Sequence, residues 1–433
     1  MNLEKKIAKN LIDFIYESPT AFHATERVKK ELKANGFQEL REEDRWQITS
    51  KGKYFTTKNH SAIIAFAVGK ESPAKSGFKI IGAHTDSPGF RIKPNPEMVA
   101  ENAYIKLNTE VYGGPILPTW FDRPLALAGR VTLRAENPLC PKVQFININK
   151  PILIIPNLAI HMNRDINDGV KINRQKDTLP LISMINDELE KGNLILKLIA
   201  KELKINISEI LDFDLFPYEY EKGSIIGLNE EFISSARLDD LSMVHAGLEA
   251  LLSSKTTDGT NVLVCYDNEE VGSLTKQGAD SEFLASTLER IVLSLKGDRE
   301  DYLRSLARSF MISADLAHAI HPNYSEKSDP VNKPIINGGP VIKIAASQSY
   351  TTDADSSAVY QEICKKAGVP CQKFVNRSDM RGGSTIGPIS SSHLNIKSVD
   401  MGSPILGMHS IRELGGVKDH YYTIKSFEEF YKL

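Results

Sequence analysis

Acidic and imidazole side chains close several of the apolar runs in this sequence. FKIIGAHTDSPG ends in His84 and Asp86, NVLVCYDNEEVGS in the adjacent pair Glu269 and Glu270, and SFMISADLAH in Asp315. Asp239 opens the helical pattern of ARLDDLSM, and His409 follows the last strand-like run in SPILGMHSIRE. In open α/β sheets, ligands bind beyond the carboxyl ends of the strands. Neutral imidazole and ionised carboxylate are ligands for Zn²⁺, Mn²⁺ or Co²⁺. Two neighbouring glutamates at the end of a core strand repel each other and resist burial unless positive charge faces them.

Each residue also has an ordinary reading. His-x-Asp is usually a loop pair, Asp before a helix is usually an N-cap, and Glu-Glu can be a solvated strand end. Asp315 can be buried and merely hydrogen-bonded, and His409 can be a core histidine. Those readings must then hold by coincidence in five separate segments, and the joint metal-site reading is the better account. Three carboxylate ligands and two histidines exceed the three protein ligands of a usual catalytic zinc. They suit two cations that share a bridging carboxylate, polarise a substrate carbonyl and activate water. A further carboxylate must then move the proton from water to the leaving group. The two glutamates divide into a ligand and a proton carrier, in an order the spacing leaves open. Chain alternation puts His84 and Asp86 on one face, so Asp86 can accept from the ring and set its tautomer.

These residues need rigid elements to hold them. The first 35 residues read as two amphipathic helices broken at Ser18-Pro19-Thr20, with Thr20 as an N-cap. Strand-like runs follow at 61–68 and 78–84. From about residue 95 to 230 the chain turns β-branched and turn-rich, as in VTLRAE, VQFINI and PILIIP, apart from the helical GNLILKLIAKELK. After Ser234 helices and strands alternate: LDDLSMVHAGLEALL, NVLVCYD, SEFLASTLERIVLSL, SFMISAD, GPVIKIA, SSAVYQEICKKAG and IKSVDMG. That alternation predicts an α/β fold with a mixed, largely parallel sheet flanked by helices on both faces. The expected division is a catalytic domain from residues 1–94 and 232–433, with an inserted β-rich domain over 95–231.

The 433 residues carry 53 basic and 55 acidic side chains, a net charge of -2, so no basic excess points to nucleic acid or an anionic membrane. Neither a signal peptide nor the ~20 apolar residues of a membrane span is visible. Cys140, Cys265, Cys364 and Cys371 lack CxxC or zinc-ribbon spacing, and read as reduced thiols in a reducing compartment. A cytoplasmic protein is expected.

GAHTDSPG, SARLDDLSM, DNEEVGS, SADLAHAIHPNY, GPVIKIAASQSY, GGSTIGPI and MGSPILGMHSIRE together closely resemble the aspartyl aminopeptidase family of two-zinc metallopeptidases. TWFDRPLALAGRV and PNLAIHMNR look like the same family, and the motifs occur in order along the chain. The resemblance implies a phosphorylase/hydrolase-like metallopeptidase domain with an inserted dimerisation domain. It implies His84, Asp239, Glu270, Asp315 and His409 as metal ligands, Asp239 bridging, with Glu269 the general base and Asp86 orienting His84. It matches His161 to a histidine that reaches a neighbouring subunit's site, and implies a tetrahedral dodecamer of dimers around an enclosed chamber that admits short peptides. Cleavage of an acidic amino-terminal residue is implied, with Lys343 facing the substrate carboxylate, Tyr350 donating to the peptide and His318 lining the pocket. Lys343 has an ordinary reading too, as a surface lysine that snorkels. His321 and the glycine-rich RGGSTIGPI, which lacks a nucleotide loop's GxxxxGK[ST] pattern, are secondary candidates. Rival readings are a preference for neutral residues, a carboxypeptidase or amide deacylase on the same two-metal site, and last a non-catalytic shell protein.

Overall fold

The computed structural model describes residues 2–185 and 193–433, and the chain falls into two units. The first takes the residues up to Asp86, Gly223–Met408 and Glu413–Leu433; the second takes Ser87–Lys222 and His409–Arg412.

The first unit is built on a nine-stranded mixed sheet. Its central strand Phe78–His84 is flanked in parallel by Thr260–Tyr266 and Phe310–Ala314, and Lys397–Gly402 continues the parallel run beyond the latter. Ala62–Ala67 and Lys53–Lys58 add antiparallel strands on one side; Val341–Ile344 adds one on the other and pairs in parallel with Gln372–Val375. Side-chain alternation explains why the central runs are apolar throughout. Ile63, Ala65, Ile81, Ala83, Leu263 and Cys265 enter one core, under helices Leu3–Tyr16, Ala21–Ala34, Leu238–Ser253, Ala354–Ala367 and Val417–Lys432. Ile64, Phe66, Ile80, Val262 and Val264 enter the other, with Phe283–Ser294 and Ile386–Leu394. Both faces are covered, so every position of Thr260–Tyr266 is buried. A separate five-stranded sheet contains Phe232–Ser235 and Glu413–Gly416.

The second unit holds two three-stranded antiparallel sheets. Ile210–Glu219, Leu125–Leu133 and Lys142–Leu153 form one; Gly89–Ala100, Tyr104–Tyr112 and Leu181–Met184 form the other. Helix Leu194–Leu203 sends Ile195 and Ile199 into the core they share. Gly192, which opens the helical GNLILKLIAKELK run, lies outside the described residues.

Three differences from the sequence expectation have local causes. Thr20 does occupy the N-cap position, but its hydroxyl pairs with the His23 ring at 2.8 Å and makes no cap bond. Helices Arg299–Ala307 and Val417–Lys432 went unread; the first is started by a capping box from Asp298 and Asp301 rather than by a long apolar stripe. The glycine-rich RGGSTIGPI runs into helix Ile386–Leu394, capped by the Thr385 hydroxyl on the Gly387 amide.

Candidate metal centre

Three adjacent parallel strands of the first unit end at the same sheet edge, and each delivers chemistry there. Tyr266 pairs with His84, so the loop after Thr260–Tyr266 starts beside that histidine. Ser313 pairs with Gly82, so Asp315 emerges on the other side of the same strand. Asp239 and Asp240 come from the first turn of helix Leu238–Ser253, where both depart from helical backbone angles and are joined by a cis peptide.

The imidazole of His84 is the hub. Its Nε2 lies 3.5 Å from Asp239 Oδ1 and 4.0 Å from Asp315 Oδ1. Its Nδ1 lies 3.3 Å from Asp86 Oδ1 and 3.2 Å from the Asp86 carbonyl, which turns Nε2 toward the two carboxylates. The His84 backbone amide donates to Asp240 Oδ2 at 3.1 Å. One ligand atom each from His84, Asp239, Asp240 and Asp315 lies within 4.8 Å of the others, and all four residues are buried. His84, Glu269 and Glu270 form a second group by the same measure.

Asp86 does more than hold the histidine. Its two oxygens accept the backbone amides of Glu269 and Glu270, each at 3.1 Å. The glutamates sit in a 3-10 turn, Glu269–Val271, between Asn268 and Gly272, both in the left-handed region. The Asn268 side chain accepts from Thr275 and Gln277, which fixes that turn from outside. Two half-buried carboxylates are thus presented side by side from one rigid loop.

Asp315 is held as firmly. Lys343 Nζ donates to its Oδ2 at 3.2 Å and to the Leu316 carbonyl at 3.1 Å. Lys343 is 2% exposed, so the surface reading of this lysine is excluded. The Asp315 carbonyl passes so close to Gly402 that a Cβ there would stand 1.9 Å from it; only glycine fits. Tyr350 lies beneath the ammonium, its ring centroid 5.2 Å away. His318 is exposed on the short strand Ala317–His318 with its ring 5.8 Å from Phe374, and His321 accepts from the Asn323 amide. In the second unit, His161 is exposed in the 3-10 turn Ile160–Met162, and His409 Nδ1 lies 3.1 Å from the Gly114 carbonyl.

Electrostatics shows what this cluster is built for. Burial first, then the charges of Asp315, Asp86 and Asp239 outweighing the opposing effect of His84, push the Glu269 carboxyl up to about 8. Glu270 is raised well above its ordinary value, chiefly by burial and then by Asp239; so is Asp240, again by burial first. Burial pulls His84 down, but Asp240, Asp239 and Asp86 overcome it and raise its affinity for a proton. Crowded, buried carboxylates whose charged forms are disfavoured in this way call for a cation. The buried Asp240 Oδ1 has no hydrogen-bond partner among the described residues, so an acceptor is left over for one. All-oxygen and imidazole donors fit a divalent ion such as zinc.

Residues outside the sequence reading complete the frame. Asp240 directly follows Asp239, and its role depends on the His84 amide, which donates to it. Glu413 accepts the Asp239 amide at 3.0 Å. Fully buried Asp400 accepts from Ser313, Thr385 and the Thr351 amide, tying the Asp315 strand to the helix cap at Thr385. Nothing in SIRELGG or IKSVDMG singles out Glu413 or Asp400, because their partners lie far away in sequence.

A family model described as aminopeptidase I zinc metalloprotease (M18) matches residues 14–431. A probable M18 family aminopeptidase 2 of Clostridium novyi (strain NT) is 66% identical over 428 residues, covering 99% of both chains. Among solved structures, one described as the cryo-EM structure of the Ape4 and Nbr1 complex superposes with a TM-score of 0.94 at 38% identity, over 99% of this chain and 86% of the other. Another, described as the structure of the S. cerevesiae mApe1 dodecamer, gives 0.85 at 28% identity, over 99% and 97%.

Proposed function

The chain belongs to the M18 family of zinc metalloproteases and is a metalloaminopeptidase, a peptide hydrolase; from that premise we propose that it removes acidic amino-terminal residues from short peptides. The observation that carries the proposal is the buried cluster around His84, with a lysine beside it. Two divalent ions per subunit, zinc foremost, would be held by His84, Asp239, Glu270, Asp315 and His409. When bound, such ions polarise the peptide carbonyl and lower the pKa of water. The chain's own residues do the rest. Asp86 fixes the His84 ring and, through two amides, the turn that carries both glutamates. Glu269, on that turn and not needed as a ligand, takes a proton from water at its carboxylate and returns it to the departing amine.

Acidic preference rests on Lys343. An ammonium has three donors, and two are spent on Asp315 and the Leu316 carbonyl. The third is available to a substrate carboxylate, with Tyr350 below and His318 at the rim. The rival reading, preference for neutral residues, draws on the same pair: Asp315 already neutralises Lys343. His161 is assigned to a neighbouring subunit's site, in line with the dodecamer described for the mApe1 structure; a tetrahedral dodecamer in the cytoplasm is the assembly we propose. Among the described residues no helix is long and apolar enough to cross a membrane.

The deciding experiment compares aspartyl, glutamyl and leucyl substrates, with free and blocked amino termini, for the natural chain and Lys343→Ala. Cleavage confined to free amines, with an acidic preference of about tenfold or more lost in Lys343→Ala, is expected from loss of one charge-assisted hydrogen bond. An unchanged preference in the variant removes Lys343 from recognition; cleavage of blocked peptides favours the deacylase reading.

A further inference from the structure

The segment His409–Arg412 belongs to the second unit, although the chain on either side of it belongs to the first. Its own bonds give the reason. The His409 carbonyl accepts the Ile116 amide at 2.9 Å, and the Ile411 amide donates to Thr119 Oγ1 at 3.0 Å. The Ile411 side chain is buried in the core that Ile195 and Ile199 also enter. Arg412 supplies the strongest tie. Its Nε donates to both Glu219 oxygens, at 3.2 and 3.1 Å, and its Nη2 lies 3.0 Å from Oε2. The same Nη2 donates to the Glu221 carbonyl at 3.0 Å. Glu219 is buried at the end of strand Ile210–Glu219, and Arg123 Nη1 also donates to its Oε1 at 3.0 Å. We propose that Glu219 and Arg412 are positioning residues for the hydrolysis, holding the His409 imidazole in the orientation that suits a metal ion.

The orientation is set at the ring. His409 Nδ1 lies 3.1 Å from the Gly114 carbonyl, and a carbonyl only accepts. Nδ1 therefore carries the hydrogen, and the lone pair a cation can use is on Nε2. His409 has φ 67°, a left-handed conformation that a residue with a side chain keeps only when its surroundings hold it. A forked guanidinium–carboxylate pair fixes direction as well as distance. With Arg412 locked in this way, relaxation of the turn at His409 is opposed. Removing one partner of a buried pair also costs stability, so zinc affinity, rather than folding, separates a positioning role from a structural one. That role rests on His409 being a metal ligand, as proposed above.

The test strips the full chain of metal and titrates it with zinc against a competing chelator. The natural chain is compared with Arg412→Lys, Glu219→Gln, His409→Ala and the double variant Arg412→Lys with His409→Ala. Arg412→Lys and Glu219→Gln should each weaken zinc binding about 10–100-fold. In the His409→Ala background, Arg412→Lys should cost nothing further, because it acts through the ring. Natural zinc affinity in both single variants, with His409→Ala weakened, would overturn the positioning role and leave the ligand reading standing. Additive losses in the double variant would overturn it too, since they mark a general effect on the fold. Natural affinity in His409→Ala would instead sink the ligand reading, and the positioning role with it. Arg412→Lys keeps the charge pair, so it carries the comparison even where Glu219→Gln does not fold.

Discussion

Asp86 accepts two consecutive backbone amides while its Oδ1 also faces the His84 ring. One carboxylate therefore sets the direction of the His84 ring and the position of the two adjacent glutamates. The spacing His-x-Asp revealed the first task, because alternation along a strand is local. The second was invisible, since the amides lie more than 180 residues away in the chain. At this scale the division between Glu269 and Glu270 is testable. Glu269→Gln keeps size and hydrogen bonding but cannot carry the proton. It should lower kcat by roughly 10²–10⁴-fold and leave zinc content per subunit unchanged when measured by elemental analysis. Near-normal turnover would remove Glu269 from proton transfer, and loss of zinc would make it a ligand.

The elements matter through their ends and their seams. Three parallel strands bring His84, Asp315 and the Glu269–Glu270 turn to one edge, and helix Leu238–Ser253 brings Asp239 and Asp240 onto it. That helix is seamed to Val417–Lys432 by two buried histidines, His245 Nδ1 and His420 Nε2, 2.9 Å apart. One ring donates and the other accepts in this bond, an arrangement two neutral imidazoles can make. Burial, then Arg27, lowers His245 to about 3; burial, then His245, lowers His420 well below its ordinary value. Their folded values lie below the unfolded ones, so the unfolded chain binds more protons on acidification. Their stabilisation is complete above about pH 6.5 and is lost as pH falls from there toward about 3. The loss should be on the order of 1 kcal/mol per histidine per pH unit. Urea unfolding of the chelated protein across that window checks this: His245→Gln combined with His420→Gln should flatten the acid slope. Equal slopes in both proteins would show that the pair is already protonated in the fold.

At the scale of the molecule, the first unit is assembled from distant stretches of chain that meet at the acidic cluster. Buried carboxylates raised by burial and mutual repulsion oppose that meeting, and a bound cation reverses the sign of the interaction. Metal removal should therefore lower Tm as well as activity. With zinc at about 100 times its Kd, the linkage is worth roughly 2.7 kcal/mol, or a Tm change of about 5 °C or more for a unit of this size. Calorimetry before and after chelation, with zinc restored, measures it. A Tm indifferent to chelation would mean that the ion, if it binds, binds a cluster already stable without it.

The sequence by itself determined the α/β character, the helical and strand periodicities, and the residue types that line the strand ends. Those follow from local rules: alternation, helical repeat, and the rarity of charge at the end of an apolar run. It also singled out His84, Asp86, Asp239, Glu269, Glu270, Asp315 and His409, because each stands at a strand or helix end. What only the tertiary structure decided is how the first of these are held. Lys343 looked like an even choice between surface and site until its ammonium was found buried on Asp315. Asp240, Glu413 and Asp400 carried no sequence signal, since a buried carboxylate is defined by the amides and hydroxyls that reach it. Those partners come from other elements, and only folding brings them within hydrogen-bond distance.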